Sequence, residues 1–220
     1  PERVELPFKV PGSDEDNTEA FFEDKLLMTP PELRRDFVET VFRDAYRHNQ
    51  VVGLPLSVDS LALFYNRRLL DQKRILQPPA TWQEVKEASQ ALTQQEVNGE
   101  IVQSGIALGT YDNVPRAVDI VSLLMMQNGT QMMNASGKPV FSRASPFFND
   151  AGYRPGLSAI QFYTDFASPA KEVYSWHEDM PNALQAFTEG RLAMYLGYSW
   201  DIPFIRTQGP KVDFDVTYVP

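Results

Sequence analysis

Cysteine is absent from this 220-residue chain, and histidine occurs only twice, at His48 and His177. Without cysteine the chain can form no disulfide, no thiolate nucleophile and no thiolate-ligated metal centre. The two histidines are far apart in the sequence, and neither lies in the spacing of a metal-binding motif. We therefore predict no metal site, and no cofactor is expected.

Basic charge is also scarce, with 20 lysines and arginines against 29 aspartates and glutamates and a net charge of −9. The basic residues form no stripe, which argues against a nucleic-acid partner. No apolar run reaches the roughly 18–20 residues of a membrane-spanning helix, and no signal-peptide pattern is visible. A phosphate loop, a dinucleotide-binding glycine motif and a Gly-x-Ser-x-Gly elbow are all missing.

The chain does have enough apolar content, 43%, for a sizeable core. Strand-like and helix-like patterns alternate along it, which predicts an α/β fold. The predicted strands cover 51–66, 104–110, 192–197 and 212–220. The predicted helices cover 29–46, 81–92, 114–129, 155–169, 180–190 and 200–209, and residues 1–29 are predicted to be irregular.

Several local signals support the helix predictions. Thr81 and Glu84 have the spacing of a capping box, in which each side chain accepts a hydrogen bond from a free backbone N–H group. The helix over 114–129 is apolar on most of its circumference and is expected to be buried. In the helix over 155–169, one face is expected to pack into the core; it comprises Leu157, Ile160, Tyr163, Phe166 and Ala167.

Aromatic and short polar residues gather where predicted strands end. In open α/β sheets, ligands bind outside the carboxyl ends of the strands. An aromatic face beside carboxylates and amides is suited to a sugar, whose C–H face packs on the ring while its hydroxyls form hydrogen bonds. The alternative, that Trp200 and Tyr111 are core residues, remains open at this point. The segments concerned are Asp59, Tyr111-Asp112-Asn113, Tyr174-Ser175-Trp176 and Tyr198-Ser199-Trp200.

Two blocks of the sequence resemble the extracellular solute-binding proteins of ABC importers, in the sugar-binding branch that includes maltose-binding protein. One block is "ALQAFTEGRLAMYLGYSWDIP", residues 183–203. The other matches the family pattern at Gly53, Pro55, Asp59, Leu63, Tyr65, Asn66, Pro78, Pro79, Thr81, Trp82 and Glu84. The resemblance covers most of the chain from Val51 to Pro220.

The resemblance implies a two-lobed α/β fold with the ligand in a cleft between the lobes. On this interpretation 1–56 is a partial remnant of the first lobe and the approach to the hinge. Residues 57–216 form the second lobe, and 217–220 end the returning hinge strand. Because the family's first lobe has further elements before and after this region, we expect the chain to be a fragment of a longer protein.

The resemblance also implies a function without catalysis: sugar binding, closure of the hinge and delivery to the membrane subunits of an ABC permease. An extracytoplasmic, monomeric protein is expected. Trp200 falls at the family's aromatic platform, Asp59 at an acidic hinge position, and Tyr111 and Asp112 on the loop lining the cleft. Trp176 and Tyr198 lie close to ligand-contact positions. A glycoside hydrolase and a non-binding interaction module that kept the fold remain as alternatives.

Overall fold

The chain folds as two units, Pro1–Val58 and Asp59–Pro220. A computed structural model describes residues 2–9, 16–23, 28–144 and 152–220; for the first two of these segments only the backbone is described. The assignment of the two units to lobes of a larger protein stays a prediction.

The first unit begins with an antiparallel hairpin of β1 (Glu2–Lys9) and β2 (Asp16–Glu23). The prediction of irregular structure over 1–29 is therefore wrong. The missed signal is the period-two spacing of Val4, Leu6 and Phe8, which is the spacing of one face of a strand.

Two short helices follow, α1 (Pro30–Asp36) and α2 (Glu39–Ala45), in place of the single helix predicted over 29–46. The helix is interrupted because Phe37 and Val38 adopt extended backbone conformations. A two-residue turn then joins β3 (Tyr46–Arg47) to β4 (Gln50–Val51). The small core of this unit contains the buried side chains Leu33, Val41 and Ala45.

The second unit is built around a five-stranded sheet with the order β6-β7-β8-β5-β9. Strands β7 and β8 are parallel and the other neighbouring pairs are antiparallel. The strands are β5 (Ala62–Asn66), β6 (Gln94–Gln95), β7 (Ile101–Ile106), β8 (Leu192–Gly197) and β9 (Phe214–Thr217). The helices are α3 (Arg67–Gln72), α4 (Trp82–Leu92), α5 (Ala117–Gln127), α6 (Pro155–Asp165), α7 (Ala183–Thr188) and α8 (Asp201–Gln208).

The α/β prediction is confirmed, and several of its details follow the expected chemistry. At the start of α4, the Thr81 side chain accepts a hydrogen bond from the Glu84 N–H, while the Glu84 carboxylate accepts one from the Thr81 N–H. This is the predicted capping box. Every residue of β8 is buried, as expected for an inner strand covered on both faces.

Three further predictions of local structure are only partly right. The strand predicted over 51–66 is limited to its ends, because 52–61 is not paired with any described strand. Helix α5 buries only one side, leaving Val118 and Met126 more than half exposed. On the predicted face of helix α6, Tyr163 and Phe166 are buried as expected, but Leu157 and Ile160 are exposed, and Gly156 and Ala159 are buried instead. Small residues face the core there because Gly156 lies too close to the Phe141 carbonyl for a side chain.

Candidate functional site

The register of the sheet brings three connecting segments to one edge. Gly197 at the end of β8 is paired with Ala62 at the start of β5, and β7 runs parallel to β8. The carboxyl ends of β7 and β8 therefore share an edge with the amino end of β5. We call this the carboxyl edge, formed by residues 59–61, 107–113 and 198–201.

Asp59 anchors the segment that follows β8. Its carboxylate accepts hydrogen bonds from the Ser199 hydroxyl at 2.9 Å and from the Ser60 N–H at 2.8 Å. The Ser199 N–H donates a third, at 3.3 Å. Partial burial alone would raise the pKa of Asp59, but the Ser199 hydroxyl and the backbone N–H groups hold this pKa below its ordinary value. The carboxylate is thus ionised at neutral pH and holds the Trp200 segment beside the start of β5.

Trp200 and Tyr198 form an aromatic pair on this segment. Their ring centroids are 4.8 Å apart with the planes tilted by 47°. Trp200 is 54% exposed, whereas Tyr198 is half-buried. We call this pair the aromatic platform. Large apolar side chains with this exposure at a strand end offer a ring face to a ligand.

The first turn of α5 lies against the platform. The Arg116 guanidinium carbon is 4.9 Å from the centroid of the Tyr198 ring and 5.2 Å from that of Trp200. The Tyr198 hydroxyl donates a hydrogen bond to the Asp119 carboxylate at 3.1 Å. The guanidinium therefore lies over both rings in a cation–π arrangement, while the Asp119 carboxylate holds the Tyr198 hydroxyl, and the two contacts stabilise the side-chain positions.

Asp201 supports the platform from beneath. Its carboxylate accepts hydrogen bonds from the Tyr195 hydroxyl and from the Tyr198 N–H, both at 3.3 Å. Burial raises the pKa of Asp201, against the lowering effect of those two hydrogen bonds and of Arg116. Gly197 is required at this point, because a Cβ atom there would lie 2.5 Å from the Asp201 carboxylate.

Trp176 does not belong to the site. Its side chain is 0% exposed, and the indole N–H donates to the Asn113 side-chain carbonyl at 3.0 Å. The neighbouring Ser175 is equally buried and donates its hydroxyl to the Ile106 carbonyl at 2.9 Å. The predicted ligand contact of Trp176 is thus corrected: this indole fills the core, and a ligand at the surface does not reach it.

Tyr111 and Asp112 lie on the connection between β7 and α5, and both are exposed. Tyr111 also lines a groove of about 480 Å³ beside α5, together with Val118, Val121 and Phe141. Among the predicted site residues, the rings of Tyr198 and Trp200 contact each other, and Asp59 is hydrogen-bonded to Ser199, which lies between them in the sequence. Tyr111 and Asp112 leave from the same edge and remain predicted ligand contacts.

Sequence reasoning missed Arg116, Asp119 and Ser199. Ser199 lies in the segment Tyr198-Ser199-Trp200, but its role depends on Asp59, which is 140 residues away. Arg116 and Asp119 are three residues apart at the start of an amphipathic helix, so they share one side of it. That spacing is visible in the sequence, but the contacts of these two residues with Tyr198 and Trp200 are not.

Two kinds of feature are absent from the described residues. No described helix is both long and apolar enough to cross a bilayer. In the same residues, no cluster of three or more histidine, aspartate or glutamate side chains is arranged to hold a metal ion.

Comparison with known proteins gives a consistent result. Residues 7–220 match the family model described as bacterial extracellular solute-binding protein. A binding protein of Brucella abortus (strain 2308) is 24% identical over 196 residues, which are 86% of this chain and 42% of that protein. The galactooligosaccharide-binding protein of Bacillus subtilis (strain 168) is 25% identical over 201 residues, or 88% of this chain and 43% of that protein.

A solved structure shares the fold. It is an ABC transporter solute-binding protein of Thermotoga lettingae bound with α-D-tagatose, with a TM-score of 0.57 and 23% identity. The match covers 78% of this chain and 42% of that one. The chain thus spans less than half the length of the proteins it resembles.

Proposed function

The chain belongs to the bacterial extracellular solute-binding protein family, and from this premise we propose that it is part of the substrate-binding component of an ABC importer. Its ligand is a carbohydrate, held at the carboxyl edge of the sheet. The protein delivers this ligand to membrane permease subunits and performs no catalysis. It acts outside the cytoplasm as a monomer.

The observation that carries this proposal is the exposed Trp200, fixed in place at the carboxyl edge by its neighbours. The Asp59–Ser199 hydrogen bond and the Tyr198–Asp119 hydrogen bond hold the segment on both sides of the platform. Preorganisation of this kind lowers the entropy lost when a ligand binds. A sugar ring stacked on the indole is expected to gain about 1 kcal/mol beyond the area that it buries.

Hinge closure would follow from binding on this proposal. A ligand that contacts both lobes of a two-lobed protein stabilises the closed form by its higher affinity for that form. Pro1–Val58 would be the remnant of one lobe and Asp59–Pro220 most of the other. The carboxylates Asp59 and Asp112 would add selectivity for hydroxyl groups.

The test is a binding screen of the protein at its full natural length against galactobiose, mannobiose, maltotriose and tagatose by titration calorimetry. We expect at least one sugar to bind, and Trp200→Ala to weaken binding by about tenfold or more, equivalent to about 1.4 kcal/mol. Leu157→Ala is the matched control, because this residue is similarly exposed and lies on α6, which contributes no residue to the carboxyl edge. The sugar should be recovered unchanged, which separates binding from hydrolysis.

Two results would contradict the proposal. Absence of binding across the sugar panel would remove the carbohydrate assignment. Equal affinities of the wild type and Trp200→Ala would remove the platform from the site.

A further inference from the structure

Arg116 has an unusual environment for an arginine at the start of a helix. Its Nε atom is buried and has no hydrogen-bond partner. Across the described residues the guanidinium forms no hydrogen bond and no ion pair, and its close neighbours are the faces of Tyr198 and Trp200. A buried donor without an acceptor is destabilising, so native proteins rarely keep one without a role.

The guanidinium is therefore positioned by aromatic rings and keeps its N–H donors unused. Arginine presents these donors as a rigid fork that matches two neighbouring oxygen atoms. Because cation–π contacts restrain direction less strictly than hydrogen bonds, a small rotation against the rings is enough to turn the fork toward a bound molecule. The guanidinium lies over the Trp200 ring, and because this side chain is 54% exposed, part of the ring remains free for a ligand.

The charge around Arg116 restricts the kind of ligand. Asp119 is bonded to the same Tyr198 whose ring contacts the guanidinium, and Asp201 is bonded to the backbone of Tyr198. Asp59 lies on the other side of the segment, bonded to Ser199. Three carboxylates against one guanidinium leave the platform net negative, which disfavours an anionic ligand.

We propose that Arg116 is a specificity-determining ligand contact, whose guanidinium donates hydrogen bonds to two adjacent hydroxyl groups of a neutral sugar stacked on Trp200. The surrounding carboxylates select against acidic sugars. This inference rests on the proposed function and narrows its ligand class to uncharged sugars with a vicinal diol. It also gives the unpartnered donors of Arg116 their acceptors.

The experiment uses the full-length protein with Arg116→Met, which keeps the length and apolar packing of the stem, and Arg116→Lys, which keeps the charge without the fork. With the best neutral disaccharide of the panel, we expect Arg116→Met to lose about 10–100-fold in affinity, as for a hydrogen bond from a charged donor. Arg116→Lys should recover only part of this loss. Arg116→Gln replaces Arg116→Met if the latter fails to fold by circular dichroism.

Two matched ligand pairs separate direct contact from a structural role. Monodeoxy analogues of the disaccharide should include one that the wild type binds about tenfold more weakly than the parent sugar. Arg116→Met should bind this analogue and the parent sugar with equal affinity. Digalacturonic acid should bind the wild type at least tenfold more weakly than galactobiose.

The outcomes distinguish this inference from the function on which it rests. If no sugar binds the wild type, both are overturned. Two results would overturn the role of Arg116 while leaving the proposed function intact. In the first, a sugar binds and Arg116→Met retains the wild-type affinity for it. In the second, Arg116→Met discriminates against every deoxy analogue as strongly as the wild type does. Preference for digalacturonic acid would overturn the exclusion of acidic ligands.

Discussion

The same three residues, Tyr-Ser-Trp, occur twice in this chain and adopt opposite roles. At 174–176 the tryptophan is 0% exposed, whereas at 198–200 it is 54% exposed. Ser175 is buried and bonded to the Ile106 carbonyl, while Ser199 is exposed and bonded to Asp59. The composition of the triplet therefore does not determine which copy faces solvent.

The difference comes from residues far along the chain. Trp176 is buried because Asn113 supplies an acceptor for its indole N–H, 63 residues away. The Asn113 amide also donates to the carbonyls of His177 and Met180, so one side chain fixes the whole segment after Trp176. Trp200 instead lies at the cap of α8, held by Asp59 and Arg116 at the carboxyl edge.

The largest contrast should appear when each tryptophan is removed. Trp176→Ala leaves a cavity in the core and is expected to lower the free energy of unfolding by about 3–5 kcal/mol. Trp200→Ala removes a half-exposed ring and should cost only about 1 kcal/mol. Denaturant titration of both variants measures the difference. Similar losses of unfolding free energy would show that the two tryptophans contribute equally to stability despite their different burial.

Removing the shared partner of the buried copy should have the next largest effect. Asn113→Ala leaves the Trp176 indole N–H and several carbonyls without partners, at an expected cost of about 2–3 kcal/mol. Asn134→Ala is the control, since Asn134 is half-buried and bonds only to nearby backbone N–H groups. Thermal unfolding compares them; equal shifts in Tm would mean that Asn113 does not act as a central partner.

The two serines sharpen the comparison at the scale of single hydrogen bonds. Ser175→Ala leaves the buried Ile106 carbonyl without this donor and should cost about 1 kcal/mol. Ser199→Ala should cost less, because Ser199 is exposed and water can replace its hydroxyl at the Asp59 carboxylate. Its main effect should be on sugar affinity, through a looser Trp200 segment. A larger loss of stability for Ser199→Ala than for Ser175→Ala would contradict the expectation that the buried hydrogen bond contributes more than the exposed one.

The smallest expected effect is a pH dependence of opposite sign at two carboxylates of the edge. The pKa of Asp59 is lowered in the folded protein, so its stabilising contribution is present near neutral pH and is lost as pH falls through that pKa. The pKa of Asp201 is raised by burial, so its contribution is present at low pH and is lost as pH rises through the raised pKa.

Unfolding free energies of Asp59→Asn and Asp201→Asn between about pH 3 and pH 7 test this contrast. The advantage of the wild type over Asp59→Asn should shrink as pH falls. Relative to Asp201→Asn, the wild type should instead gain stability as pH falls. Parallel curves for the two variants would contradict the opposite shifts.

The features that the sequence predicted correctly depend on short-range chemistry. The capping box at Thr81 and Glu84 and the end of α7 before Gly190 involve neighbours within one turn. Strand β8 is recognisable because its six consecutive residues, apolar apart from the Tyr195 hydroxyl, suit an inner strand. The position of Trp200 directly after that strand followed from the same local pattern.

The features that were missed depend on tertiary packing. Helix α6 has apolar residues on more than one side. Gly156 and Ala159 are buried because the Phe141 backbone approaches the helix too closely for a side chain at Gly156. The burial of Trp176 depends on Asn113, and the placement of Arg116 depends on Tyr198. No local periodicity contains those partners.

The Asp59–Ser199 hydrogen bond also constrains how the protein is made, because its two residues are 140 positions apart. Strand β5 is synthesised before both of its sheet neighbours, β8 and β9, which follow it in the chain only after α3 to α7. At about 5–20 residues per second, synthesis of the intervening segment takes on the order of ten seconds. During that interval the apolar strand Ala62–Asn66 lacks both of its sheet neighbours, and an unpaired strand edge of this kind favours aggregation.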